Sequence, residues 1–106
     1  MKMAPEQNIT PDSWVILEFT TDTGVIRKIL SGWKGGYLNG DSWRLSSSIV
    51  NETEMKHYNE YETDSGSTYK CLHSNEGLIG ITHDKLTQLK ETPEVKVKML
   101  YYGDPT

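Results

Sequence analysis

Short runs of alternating apolar and polar residues recur along this chain, and turn signals separate them. The first run is Trp14-Val-Ile-Leu-Glu-Phe19, predicted to be a strand over 13–19. Val15, Leu17 and Phe19 fall on one face, and Trp14, Ile16 and Glu18 on the other. Bulky apolar groups on both faces imply a strand that is central or covered on both sides. Thr20-Thr-Asp-Thr-Gly24 reads as a hairpin loop, with Gly24 free to take a positive φ. A second strand follows from about Val25 to Trp33. Its register is ambiguous because both alternating sets contain apolar residues.

Lys34-Gly-Gly36 interrupts the pattern. Tyr37-Leu-Asn-Gly-Asp41 then predicts a tight turn into a strand over 42–46, since Asn39 and Gly40 both tolerate positive φ. Ser47 to Val50 either continues that strand or bends it. Residues 56–73 form the clearest hairpin, with arms His57–Thr63 and Thr68–His73 around Asp64-Ser-Gly66. The first arm has few aliphatic residues, which suits an edge or solvent-facing strand. In the second arm, Tyr69 and Cys71 point one way and Lys70 and Leu72 the other. One short helix is expected, with Thr82 as N-cap, Asp84 near the positive end of the macrodipole, Leu86 and Leu89 one turn apart, and Pro93 as the stop. A final strand runs from Val95 to Tyr101, with Val95, Val97, Met99 and Tyr101 against Lys96 and Lys98. Together these elements predict a mainly β domain with a minor α component. The expected form is a small antiparallel sheet of five to seven strands, or a partly open SH3-like or OB-like barrel, with the helix before the last strand. Residues 1–12, polar and containing Pro5 and Pro11, read as a flexible N-terminal arm before a single domain over 13–106.

A chain of 106 residues is one domain and can bury a core without metal or disulfide staples. Only 35% of its residues are apolar, so the three tryptophans must supply much of that core. The net charge of −4, from 15 acids and 11 bases, argues against a duplex-DNA binder, which needs a basic surface to release counterions. Cys71 is the single cysteine and permits no internal disulfide. The absence of a membrane-length apolar run or a signal-like N-terminus leads to the expectation of a cytoplasmic protein without a membrane partner.

Candidate chemistry is sparse. The largest set is aromatic: Trp14, Trp33, Tyr37, Trp43, Tyr58, Tyr61, Tyr69, Tyr101 and Tyr102. Tryptophan and tyrosine combine an apolar body with a polar tip and serve as interface anchors or stacking platforms, but they serve equally as core. Trp33, Tyr37 and Trp43 flank the glycine-rich stretch, with Lys34 and Arg44 beside them. These five residues are the candidate binding set. Gly32-Trp-Lys-Gly-Gly36 also offers backbone N–H groups next to a cation, although it matches no phosphate-binding fingerprint. Cys71, His73, His57 and His83 lack the paired spacing of a zinc site, so no metal and no cofactor is expected. Cys71 lies mid-strand, away from any helix N-terminus that would activate a thiol. Glu60 and Glu62 share a strand face without an implied pocket, and no catalytic residue is assigned.

Trp43-Arg-Leu-Ser-Ser-Ser-Ile49 and Ser65-Gly-Ser-Thr-Tyr-Lys-Cys71 resemble stretches in small β-rich proteins of bacteriophages and other mobile elements. The resemblance covers about a third of the chain and transfers no functional residue. It implies a context in which small proteins act by occupying a host protein surface or sequestering a small molecule. The expectation is therefore a non-enzymatic protein that binds a host protein through the aromatic, glycine-rich surface. The alternative is a nucleotide or single-stranded nucleic-acid binder that stacks bases on the same aromatics. A homodimer sealed through strand 56–63 or strand 95–101 is compatible with either.

Overall fold

The computed structural model describes residues 7–35, 40–93 and 95–100. Among these residues the strands are β1 (Gln7–Ile9), β2 (Ser13–Thr21), β3 (Gly24–Trp33), β4 (Ser42–Leu45), β5 (Ile49–Glu54), β6 (Tyr58–Thr63), β7 (Ser67–Leu72) and β8 (Lys96–Leu100). One helix, α1 (Gly80–Lys90), precedes the last strand. The strands form two four-stranded sheets, ordered β1-β7-β6-β5 and β4-β3-β2-β8. The mainly β class with a short helix before the last strand is therefore as expected. The strands divide between two sheets and do not close into a barrel.

Parity along β2 sets up three layers. Trp14 and Ile16 face the first sheet and pack with Ile29, Tyr61, Tyr69 and Cys71. Val15, Leu17 and Phe19 face the other way and pack with Leu30 and with Leu86 of α1. The second sheet is thus sandwiched between the first sheet and the helix, and β2 is buried on both faces as its sequence implies. Pairing of Ile16 with Ile29 and of Leu17 with Lys28 resolves the register of β3. The connecting loop is short because Thr21 pairs directly with Gly24, whose φ of +140° suits glycine.

Four expectations need correction. Strand β6 is not an edge, because it lies between β5 and β7. Its inward residues Asn59, Tyr61 and Thr63 are buried, and they are polar or amphipathic because they satisfy one another and their neighbours. Asn59 Nδ2 donates to Tyr61 Oη at 3.0 Å, Asn59 Oδ1 lies 3.0 Å from His73 Nε2, and Thr63 Oγ1 donates to Ser67 O at 3.2 Å. With both its edges paired, β6 offers no open edge for the dimer contact expected through residues 56–63. Second, α1 begins before Thr82. Ile79 occupies the N-cap position, while the buried Thr82 hydroxyl accepts from Ile79 N–H at 2.9 Å and donates to Ile79 O at 3.0 Å. Thr82 thus caps the helix from its third position, and Ile79 lies against Gly32. Third, part of the expected N-terminal arm is structured. Gln7–Ile9 pair in parallel with Ser67–Tyr69, and Pro11 is fully buried. Fourth, residues 47–50 neither extend β4 nor stay in its sheet, since β5 starts at Ile49 in the other sheet. Of the expected Tyr37–Asp41 turn, residues 37–39 lie outside the described residues, as does Tyr101. No helix among the described residues is long and apolar enough to cross a membrane.

The close contact at Gly32 gives a direct test. A Cβ there would meet Ser13 Oγ at 2.8 Å, Thr82 Cγ2 at 2.9 Å and Ile79 Cδ1 at 3.0 Å. Gly32→Ala is expected to cost about 1–3 kcal/mol in urea unfolding, the usual penalty for overpacking a core. The core also makes the fold alkali-sensitive. Burial pushes the Cys71 thiol from its ordinary 9.0 up to about 12 and the Tyr61 phenol from 10.0 up to about 12. The unfolded chain releases these protons first, so it binds fewer of them as pH rises, and the slope of stability against pH is negative. Stability is complete below about pH 9 and falls between pH 9 and 12, with each group contributing at most about 1.4 kcal/mol per pH unit. Cys71→Ala should flatten the part of this fall that begins near pH 9, measured by urea unfolding at stepped pH.

Candidate functional site

The five residues singled out in the sequence do not share one surface. Trp33 pairs with Ser42 and Trp43 pairs with Gly32, so the two indoles project from opposite faces of the second sheet. Trp33 turns toward the N-terminal segment, where its Nε1 donates to Thr10 O at 3.3 Å. The backbone N–H of Lys34 donates to Asp12 Oδ2 at 3.0 Å. These bonds make Trp33 and Lys34 the anchor of the chain that leads into β2. Arg44 pairs with Ser31. Its charge opposes the upward push that burial gives the Tyr69 phenol. Tyr37 lies outside the described residues.

Trp43 is different. It is 39% exposed, on the helix side of β4, and Lys85 Nζ of α1 lies 4.5 Å from its ring centroid. Lys85 Nζ also donates to Gln88 Oε1 at 3.2 Å. Next to this pair runs a groove of about 610 Å³ between β4 and α1. Trp43, Leu45 and Leu89 give it apolar walls, Lys85 gives it positive charge, and Arg44, Gln88 and Thr92 complete its lining. The helix contributes residues at 85, 88 and 89, the spacing of one helical face, and Thr92 follows just beyond its end. That spacing was present in the sequence, but the core role of Leu86 and Leu89 obscured it.

Among the described residues the groove adjoins an unpaired sheet edge. Strand β4 is terminal in its sheet and pairs only with β3 among the described residues. Ser46 N–H donates to Ile29 O at 3.0 Å, and Ile29 N–H donates to Ser46 Oγ at 2.8 Å, so positions 29 and 46 occupy a hydrogen-bonded site of the ladder. Such sites alternate in antiparallel pairs. Arg44 therefore bonds inward to β3, whereas the backbone groups of Trp43 and Leu45 point out to the free edge. Side chains and edge backbone of the same two residues thus border the groove.

The remaining candidates lie elsewhere. Cys71 is fully buried between the sheets, and His73 is tied to Asn59. Among the described residues no group of three or more His, Cys, Asp and Glu side chains is placed to hold a metal ion. Comparison of the chain with models of known families, with curated proteins and with solved structures gave no match.

The tryptophans should separate sharply on mutation. Trp14 is fully buried and its Nε1 donates to Leu72 O at 2.6 Å, so Trp14→Ala should cost about 3–5 kcal/mol. Trp43→Ala should cost no more than about 1 kcal/mol, the scale of an exposed cation–π contact. Urea midpoints of the two variants check both figures.

Proposed function

We propose that this protein is a non-enzymatic binding module that docks a protein partner along the open edge of β4. One observation carries this reading: the outward backbone groups of Trp43 and Leu45 border the same groove that their side chains line. An exposed edge supplies main-chain hydrogen bonds to an added strand, and an adjacent groove reads its alternate side chains. Exposed aromatic residues such as Trp43 are favoured anchors in such contacts. The elevated pKa and burial of the Cys71 thiol support binding over covalent catalysis. A cytoplasmic host protein is the partner that fits the bacteriophage-like context.

Base stacking on the expected aromatic set has weaker support. Trp33 and Trp43 project from opposite faces of the sheet, so they cannot clamp one base between them. Lys85 already covers one face of the Trp43 ring.

Capture from cell lysate, with and without nuclease, tests the reading. The tagged chain should retain a protein after nuclease treatment, and Trp33→Ala should retain it too if the fold is intact by far-UV circular dichroism. Trp43→Pro removes an edge N–H that β3 does not use, and proline is tolerated at such an edge position. That variant should lose the partner at least as completely as Trp43→Ala, which keeps the N–H. Undiminished capture by Trp43→Pro would overturn docking at β4. Recovery that disappears with nuclease would replace it with a nucleic-acid partner.

A further inference from the structure

If β4 is a docking strip, its groove also specifies the chemistry of the segment that lies there. The chain as a whole is acidic, with 15 carboxylate residues against 11 basic ones. The groove departs from that balance, for Lys85 stands over it and no described carboxylate lines it. Lys85 is held in place by the Trp43 ring at 4.5 Å and by Gln88 Oε1 at 3.2 Å. Neither neighbour neutralises it. Its positive charge therefore stands over an apolar wall, without a salt bridge to any described carboxylate.

Strand geometry sets the spacing of the complementary groups. Trp43 and Leu45 are two residues apart and face the helix side together. A strand laid against β4 turns every second side chain to that same side. Two groove-facing positions of the incoming segment, i and i+2, then stand beside Trp43 and Leu45. Leu45 and Leu89 offer an apolar surface to one of them, and Lys85 above Trp43 offers a cation to the other.

We propose that the β4–α1 groove takes an extended, acidic segment of another protein, with a large apolar residue and an Asp or Glu two positions apart, both turned inward. The apolar side chain packs against Leu45 and Leu89, and the carboxylate meets the Lys85 ammonium. A second copy of this chain fits less well. Its own acidic edge strand, β5, has an irregular register between Ile49 and Asn51, and its Glu52 is already paired with Arg27 at 2.9 Å. A bulge of that kind interrupts the edge an added strand needs.

The test is a positional-scanning library of immobilised octapeptides, probed with the full chain and with the variants Lys85→Glu and Trp43→Pro. The wild-type chain should select Asp or Glu at one position and a large apolar residue two positions away. Replacing that acidic residue by its amide should weaken binding by about two- to fivefold, the range of a solvent-exposed ion pair. Lys85→Glu should shift the preference at the same position to Lys or Arg. If Trp43→Pro-sensitive binding is seen but neutral or basic residues are selected, the acidic assignment fails and the docking strip stands. The same holds if Lys85→Glu keeps the preference for acids. If no peptide is retained better by the wild-type chain than by Trp43→Pro, both fail. Tighter binding of a single-stranded oligonucleotide to the same groove would overturn the choice of a protein segment. So would concentration-dependent self-association in sedimentation that Lys85→Glu abolishes.

Discussion

Burial of β2 on both faces is the constraint from which the remaining architecture follows. A strand with Trp14 and Ile16 on one side and Val15, Leu17 and Phe19 on the other needs two covering layers. The first sheet supplies one and α1 the other. Between them, β2 must be flanked by β3 and β8, and β4 is left at the margin of the sheet. The indole of Trp14 fastens the arrangement by donating to Leu72 O in the opposite sheet. In a chain with 35% apolar residues, concentrating them in one strand supports two clusters at once.

The same economy explains what could be read in advance. The β2–β3 and β6–β7 hairpins were legible because a turn signal lies between two runs of consistent parity. Alternation put Tyr69 and Cys71 on one face of β7, and that face is the buried one. The position of β6 was not legible. Asn59 and Thr63 look like surface residues until Tyr61, His73 and Ser67 are brought beside them by pairing and by the turn after β7. The start of α1 was obscured for a related reason. Thr82 does bond the backbone at the helix start, but from the third helical position back to Ile79, an apolar residue that gives no N-cap signal of its own.

The candidate site divides in the same way. Trp43 was identified because it is aromatic and flanks a glycine-rich stretch. Its separation from Trp33 follows from the pairing of β3 with β4, and parity cannot be counted across the intervening turn. Lys85 and Leu89 joined the site only through tertiary packing of α1 against the second sheet. The sheet margins sharpen the contrast. Strand β8 carries exposed Lys96 and Lys98, β5 is acidic and irregular, and β1 has three residues. Each of these is a common protection against unwanted pairing. Strand β4 instead presents a tryptophan beside a groove.

The parallel pairing of β1 with β7 has a consequence for how the chain reaches this state. The β2–β3 hairpin closes through a short turn and can form early, because its contacts are local. Gln7 must find Ser67, and Trp14 must reach Leu72 across 58 residues. Contacts so distant in sequence carry a large loop-closure entropy that is recovered only after both sheets exist. Docking of the N-terminal strand therefore waits on the β6–β7 hairpin whose margin it joins. With three residues and a single neighbour, β1 is also the first part of the described structure to exchange its amide hydrogens with solvent.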